Sequence, residues 1–336
     1  MSARVACFGE LLLRLSAPGR ELLMQSGRLD VHVGGAEANV GVGLARLGHD
    51  VAMISRVPDN ALGDAAAGHL RRYGVDTNKV VTAPGRMGLY FLSPGAGLRG
   101  AAIVYDRAGS AFAEARPGDW DWASLLDGVG HLHLSGITPA LGPGPAEAAV
   151  AAAKAAHARG ARVSFDGNYR AQLWQAWDSD PRAMLARLVG LADILFGNHR
   201  DIALLLGREF GGDGPARRRE AAEAAFDAFP NLEAIASTAR HAVDAETHLI
   251  SARLDSRGGA EETDELVVAG IVDRIGAGDA FAAGVLHGLL SGRDHIWSVR
   301  AGLALCALKH SLPGDASLFG PADLESFLAG ELDVRR

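Results

Sequence analysis

The chain alternates short apolar runs with longer amphipathic or alanine-rich segments, and glycine or polar residues separate most of them. Short runs of about 4 to 8 apolar residues are typical of buried strands, and the longer segments suit crossover helices. The pattern predicts an α/β protein with a mainly parallel sheet and helices on its faces. The predicted strands are Val5–Gly9, Val51–Val57, Val129–Ser135, Ala161–Asp166, Ala192–Gly197, Leu232–Thr238 and Glu265–Val272. The predicted helices are Ala36–Leu47, Ala61–Tyr73, Gly144–Arg159, Asn198–Leu206, Arg217–Phe229, Ala280–Leu290 and Ala301–His310.

Two stretches break this rhythm. Residues 11–33 and 87–113 alternate polar and apolar positions between glycine turns, which is typical of antiparallel β-structure. We expect them to form one small β-sheet, a lid over the active site, within a single domain of residues 1–336. Residues 95–100 match G-x-G-x-x-G, but the strand-like run after them favours a hairpin turn over a dinucleotide site.

Composition and charge narrow the function classes. The chain has 336 residues, 48% of them hydrophobic, and a net charge of -7 without a basic stripe, which argues against nucleic acid as a partner. Its two cysteines, Cys7 and Cys306, indicate a reducing compartment. Charged residues interrupt the apolar N-terminus, and no apolar run reaches the ~18 residues of a membrane span. We therefore expect a soluble, cytoplasmic protein.

The most informative motif is the segment Asp273–Phe281, which lies between a strand-like run and a helix-like run. Gly276 and Gly278 allow backbone N–H groups to approach an anion, and the helix start adds its positive dipole end. Backbone N–H groups of Ala277, Gly278 and Asp279 would then hold phosphoryl oxygens, while Asp279 accepts a proton from an attacking hydroxyl. The combination suits phosphoryl transfer to an alcohol. A Walker A motif is absent from the sequence.

A second glycine motif occurs early in the chain. Gly34 and Gly35 end one segment, and Asn39 lies in the first turn of the predicted helix that follows. Alone, this motif is better explained by an ordinary glycine turn with Asn39 on a helix face. Paired with the late motif, it favours a site for a hydroxyl-rich ligand, to which Gly34, Gly35 and Asn39 would contribute.

The two motifs together resemble the signatures of the ribokinase-like (PfkB) sugar kinases, and the likeness covers essentially the whole chain. The resemblance implies a three-layer α/β/α domain with a small β-sheet lid. It also implies an ATP-dependent carbohydrate kinase that uses Mg²⁺, with Asp279 as the base and Gly276, Ala277 and Gly278 as the anion hole. Dependence on a monovalent cation stays open.

Three further segments resemble the 2-keto-3-deoxygluconate kinases of that family: Val104–Ala111, Phe165–Arg170 with Leu173–Trp174, and Leu308–Asp315. The resemblance implies a sugar acid as substrate, phosphorylated at its C6 hydroxyl. Guanidinium groups grip carboxylates by two hydrogen bonds, which fits Arg107 and Arg170 as ligands of the acid. Tyr90 and Tyr105 would contact the same ligand. A surface salt bridge is the competing interpretation for each arginine.

The resemblance also implies which residues surround the Mg²⁺ ion and the nucleotide. Asp201 stands where the family has a glutamate that orders Mg²⁺, and this departure favours a role through water. Asn198 is also explained by helix capping. The residues expected around ATP are Asn168, Asn198, Thr238, Arg240, Gly276, Gly278, Lys309 and His310.

Two rival functions remain at this point. One is a family member that acts on a neutral sugar or nucleoside, and the other is a non-catalytic sugar or nucleotide sensor. The sequence leaves open the choice between gluco and galacto epimers. An exposed edge of the lid sheet favours a homo-oligomer, with a dimer as the simplest case.

Overall fold

The computed structural model describes residues 4–212 and 214–331. Its strands are β1 (Arg4–Phe8), β2 (Leu12–Ser16), β3 (Asp30–Gly34), β4 (Val51–Pro58), β5 (Asp76–Ala83), β6 (Gly88–Ser93), β7 (Ala102–Asp106), β8 (Val129–Ser135), β9 (Arg162–Asp166), β10 (Ile194–Phe196), β11 (Ala234–Ala242), β12 (Thr247–Ser256), β13 (Gly259–Glu262) and β14 (Leu266–Ala269). Its helices are α1 (Ala36–Arg46), α2 (Ala61–Arg72), α3 (Trp122–Leu125), α4 (Pro143–Ala158), α5 (Ala171–Trp174), α6 (Pro181–Val189), α7 (His199–Leu206), α8 (Gly214–Ala228), α9 (Ala277–Leu290), α10 (His295–Lys309) and α11 (Pro321–Leu328).

A mainly parallel sheet forms the centre, in the order β13-β12-β11-β10-β9-β8-β1-β4-β5. Seven of these strands, from β11 to β5, run parallel to their neighbours, and β12 turns back antiparallel against β11. Parallel strands need crossover connections, and the intervening helices supply them. The prediction of a parallel sheet covered by helices is confirmed.

Alternate side chains of the central strands enter two separate cores. In β1, Ala6 and Phe8 join the cluster under α4, α6 and α8, while Val5 and Cys7 join the cluster under α1, α9 and α10. This follows from the two-residue period of a strand, whose successive side chains point to opposite faces. Both faces are apolar because helices cover both.

The second sheet is small, with strand order β3-β2-β6-β7, and it draws its strands from residues 11–33 and 87–113 as expected. Residues 95–100 form the turn between β6 and β7, as predicted, rather than a helix start. The tip of this sheet contacts the β11–β12 turn, where the N–H of Ala245 donates to Gly97 O at 2.8 Å. Arg20 forms an ion pair with Glu246 at 2.9 Å beside it. The small sheet is therefore fastened to the central sheet at its tip.

Several element bounds differ from those that the sequence pattern indicates. Strands β12 and β13 were missed, because residues 247–262 mix charged and apolar residues. The run Glu265–Val272 forms only the short strand β14, which pairs antiparallel with β12. Helix α10 begins at His295, earlier than predicted, because the Asp294 side chain accepts the N–H of Trp297 and caps it. None of the helices among the described residues is long and apolar enough to cross a membrane.

Helices α9 and α10 approach closely at glycines, and this contact can be tested. A Cβ added to Gly284 would lie 2.6 Å from Ala301 O, which is backbone and cannot rotate away. We expect Gly284→Ala to lower the free energy of unfolding by about 1–3 kcal/mol through overpacking. Gly68→Ala in α2 is the matched control, because its Cβ would meet only the end of Arg71 at 3.6 Å. Urea denaturation should show the control equal to or more stable than the parent. A Gly284→Ala variant as stable as Gly68→Ala would contradict the close packing.

Candidate active site

The start of α9 forms a backbone anion hole. Gly276 precedes the helix with φ 77°, in the left-handed region that favours glycine. A Cβ there would lie 1.6 Å from Asp315 O, so the 315 carbonyl packs directly behind this turn. The first N–H groups of a helix have no intrahelical partners, which leaves those of Gly278 and Asp279 directed at the site. A Cβ on Gly278 would meet nothing within 4 Å, so the approach to these groups is open.

Asn39 joins the early motif to the late one. Its Nδ2 donates to Asp279 Oδ2 at 2.6 Å, although 240 residues separate the two in sequence. Asn39 is buried in the first turn of α1, and α1 packs along α9. The amide thus orients the carboxylate that the sequence predicts as the base.

The Asp279 carboxyl holds its proton unusually strongly. Burial raises its pKa to about 8, and the nearby carboxyls Asp166 and Asp315 add to the effect. The hydrogen bond from Asn39 works in the opposite direction, because it stabilises the ionised form. A group that titrates close to neutral pH is suited to accept and release a proton. Nothing in the sequence indicated this elevation.

The two glycines before α1 are required by close contacts. Gly35 has φ 141°, and a Cβ on it would lie 2.2 Å from Glu10 O. A Cβ on Gly34 would lie 2.3 Å from Asp315 Oδ2. The early motif therefore packs against the same 315 segment that supports the anion hole. The structure brings Gly34, Gly35, Asn39 and the late motif together at one site.

A buried charge network lies behind the anion hole. Arg14 of β2 is 1% exposed; its Nη2 lies 2.6 Å from Asp273 Oδ2, and its Nε lies 3.2 Å from Asp315 Oδ1. The Tyr90 hydroxyl donates to Asp315 Oδ2 at 2.6 Å. Sequence reasoning missed Arg14 and Asp315, and it expected Tyr90 to contact a ligand. The ring of Tyr105, 6.3 Å from that of Tyr90, is half-buried on the same face of the small sheet.

The two arginines expected to bind a carboxylate have different surroundings. Arg107 is buried, and its Nε and Nη2 lie 2.7 and 2.6 Å from Glu10 Oε2. Arg170 is exposed just after β9, and its Nη1 donates to Tyr169 O at 3.0 Å. Among the described residues no carboxylate lies within ion-pair distance of Arg170. Arg170 acts at longer range on the carboxyls of Asp166 and Asp201, where its charge partly offsets the rise in pKa that burial causes. The charge of Arg107 is balanced directly by Glu10.

Asp166 at the end of β9 and Asp201 in the first turn of α7 form an acidic pair. Burial and then the nearby carboxyl of Asp201 raise the pKa of Asp166 to about 7. Burial also raises the pKa of Asp201, whose Oδ2 accepts the N–H of Asn198 at 2.7 Å and caps α7. A divalent cation would relieve the repulsion, although no group of three or more ligating side chains occurs among the described residues. Sequence reasoning missed Asp166, whose signal is its place at the carboxyl end of a parallel strand.

The residues expected around the nucleotide form two groups. Asn168, with φ 38°, donates its N–H to Asp166 Oδ1 at 3.1 Å, and Thr238 and Arg240 lie along β11. Burial and the positive charges of Arg240 and Arg170 lower the pKa of Arg274, so three cations share one region of the site. The other group is internal: Lys309 is fully buried, and His310 Nδ1 lies 2.7 Å from Cys306 O.

Comparison with known proteins gives a consistent picture. The model of the family described as "pfkB family carbohydrate kinase" matches residues 2–318. A relative from Haloferax volcanii named 2-dehydro-3-deoxygalactonokinase is 32% identical, over 98% of each chain. One from Bacillus subtilis named 2-dehydro-3-deoxygluconokinase is 29% identical, over 100% of this chain and 98% of its own. The crystal structure of 2-dehydro-3-deoxygluconokinase from Thermotoga maritima aligns with a TM-score of 0.92 and 37% identity, over 98% of this chain and 100% of that chain.

The contact between Asn39 and Asp279 predicts a measurable pKa change. Because the amide stabilises the ionised carboxyl, Asn39→Ala should raise the pKa of Asp279 above about 8. An NMR titration of the carboxyl carbon of Asp279 in the unliganded protein measures this directly. Asn60→Ala, which removes the cap of α2 away from the site, should leave that pKa unchanged. A pKa that falls or stays the same in Asn39→Ala would refute the assigned contact.

Proposed function

Because the chain belongs to the pfkB family of carbohydrate kinases, we propose that it transfers the γ-phosphoryl group of ATP to the C6 hydroxyl of 2-keto-3-deoxygluconate. The sugar acid, also called 2-dehydro-3-deoxygluconate, becomes 2-keto-3-deoxy-6-phosphogluconate, and ADP is released. The observation that carries the proposal is Asp279, oriented by Asn39 beside the N–H groups that open α9. The names of the relatives from Bacillus subtilis and Thermotoga maritima support this substrate.

The geometry suits an in-line transfer. Asp279 accepts the proton of the C6 hydroxyl in its ionised form, whose population grows as the pH rises through the pKa of about 8. The N–H groups of Gly278 and Asp279 receive the negative charge on the phosphoryl oxygens, whereas the N–H of Ala277, expected to join them, donates to Arg274 O at 3.3 Å. Asp166 and Asp201 are the carboxylates that would hold Mg²⁺, directly or through water, and the metal would neutralise phosphate charge. The small sheet covers the sugar and excludes water, which limits hydrolysis of ATP.

Recognition of the acid group falls mainly to Arg170. Its unpaired guanidinium follows the carboxyl end of β9, where α/β proteins bind ligands. Arg107 keeps one terminal nitrogen for the ligand, since Glu10 takes Nε and Nη2. A neutral sugar or nucleoside has no carboxylate for either arginine, so the neutral-sugar kinase is not favoured. A non-catalytic sensor is not favoured either, since the base and the anion hole are both present.

The galacto epimer is the second candidate substrate. The relative from Haloferax volcanii is named 2-dehydro-3-deoxygalactonokinase, and it is 32% identical to this chain. The two epimers differ in the configuration at one ring or chain carbon, so both present the same carboxylate and the same C6 hydroxyl. The site described here suits both.

Two further parts of the proposal concern the protein as a whole. Cys7 and Cys306 are buried free thiols, which agrees with a cytoplasmic localisation.

The edge strands of the small sheet, β3 and β7, expose Val31 and Val104 at 59% and 55%. Exposed apolar edges favour pairing, so we include a homo-oligomer in the proposal.

Asp279→Asn tests the base. The variant keeps the size of the side chain but cannot accept the hydroxyl proton, so kcat should fall by about 10²–10⁴-fold while the sugar acid still binds. A coupled ADP-release assay measures kcat on 2-keto-3-deoxygluconate, its galacto epimer, fructose and ribose. For the parent, kcat/KM should rise with pH through a pKa of about 8, because the unprotonated carboxyl is the active form. Near-normal turnover by Asp279→Asn would rule out the base, and a preference for fructose or ribose would rule out the substrate class.

Arg170→Ala tests recognition of the acid. Loss of a charge-assisted bond to the carboxylate should raise KM for the sugar acid by about 10-fold or more, with a smaller change in KM for ATP. Arg187→Ala is the matched control, because Arg187 is a surface arginine paired with Glu147. Steady-state kinetics with each substrate varied in turn gives both constants. An unchanged KM for the sugar acid in Arg170→Ala would remove this residue from the site.

A further inference from the structure

Lys309 is an exceptional residue in this chain. The sequence contains 30 arginines and three lysines, and folding completely encloses Lys309 at 0% exposure. Its Nζ donates to Asp273 O at 3.2 Å and to Leu312 O at 3.0 Å. An ammonium is costly to bury unless oxygen atoms surround it, so an enclosed lysine of this kind calls for a specific role.

The two carbonyls belong to the two segments that support the anion hole. Asp273 begins the turn that reaches Gly276, and its Oδ1 accepts the N–H of Ile275 at 3.0 Å. The segment from Leu312 to Asp315 packs behind the turn, since Asp315 O lies against Gly276. Gly314 N donates to Asp273 Oδ2 at 3.0 Å and links the two segments again. The ammonium of Lys309 therefore links the two segments that lie behind the N–H groups of α9.

We propose that the Lys309 ammonium is a built-in cation that holds the anion hole in shape, so that the kinase works without a bound monovalent metal cation. The inference rests on the proposed phosphoryl transfer, because it makes Lys309 a positioning residue for the groups that receive the phosphoryl oxygens. Lys309 does not touch the nucleotide; it acts through the 273 and 312 carbonyls.

The chemistry of the side chain explains why a lysine is present. Carbonyl oxygens that converge on one point coordinate a compact monovalent cation, whether ammonium or K⁺. A planar guanidinium has five donors in a fixed fork and would not fit between two converging segments. Burial lowers the pKa of Lys309, and the positive charge of Arg14 adds to this effect, while the nearby carboxylates of Asp273 and Asp315 partly offset it. The chain thus carries at this point the charge that a bound ion would otherwise supply.

Salt replacement and substitution test the inference together. In choline chloride at constant ionic strength, parent turnover should change less than about 2-fold when K⁺ or NH₄⁺ replaces choline. Lys309→Met keeps the apolar stem but lacks the charge, and its kcat should fall by about 30-fold or more at an unchanged KM for the sugar acid. Lys309→Ala leaves space for a cation, and K⁺ or NH₄⁺ should restore its kcat saturably by about 5-fold or more. Lys79→Ala is the control, since it removes a lysine–carbonyl bond of 2.6 Å to Leu125 away from the site.

Several results would overturn the inference. They are activation of the parent by K⁺ beyond about 5-fold, normal turnover by Lys309→Met, and a folded Lys309→Ala variant that neither cation restores. If both variants fail to fold, calorimetric titration of the parent with MgATP in choline and in K⁺ decides: equal Kd values support the inference, and tighter binding in K⁺ overturns it. If the parent phosphorylates no sugar acid, the proposed function fails, and the same titration still tests Lys309.

Discussion

The carboxylate of Asp273 is the point on which the site depends. One oxygen accepts the N–H of Ile275, and the other accepts both Gly314 N and the Arg14 guanidinium. One side chain thus fixes the turn before α9, the segment behind it and a strand of the small sheet. Removing one partner from a buried charge network leaves the other unsatisfied, at a cost of about 3–5 kcal/mol. The anion hole and the small sheet are therefore energetically coupled through a residue that touches no substrate.

This coupling explains how residues far apart in sequence act at one place. Arg14 comes from the start of the chain, and Asp315 comes from near its end. Parallel strands place their carboxyl ends along one edge of the sheet, and the helices that follow begin there. Asn39 on α1 and Asp279 on α9 meet at that edge because α1 and α9 pack side by side. The small sheet closes over the same edge through Arg14 and Tyr90.

Much of this arrangement could be predicted from the sequence, because local patterns determine it. The strand–turn–helix transitions at Gly35 and Gly276 are visible as glycines between an apolar run and a helical segment. The partners of buried charges were not predictable in the same way. The sequence predicted Lys309 and Tyr90 as ligand contacts, yet Lys309 donates to Asp273 O and Tyr90 donates to Asp315 Oδ2, both in segments distant in sequence. Asp166 was missed because a single aspartate after a strand is common, and only its proximity to Asp201 and Asp279 distinguishes it.

The partners of their charges also distinguish Arg107 from Arg170, although the sequence predicts the same role for both. Arg107 has its charge balanced by Glu10, with both side chains buried, so its net attraction for an anion is small. We propose that Arg107 orients the ligand instead, through the one terminal nitrogen that does not pair with Glu10. Arg170 is exposed and forms no ion pair among the described residues, although its charge also acts on the nearby carboxyls of Asp166 and Asp201. We therefore propose that discrimination between an acid and a neutral sugar rests on Arg170, and that Arg107 fixes where the acid group lies relative to Asp279.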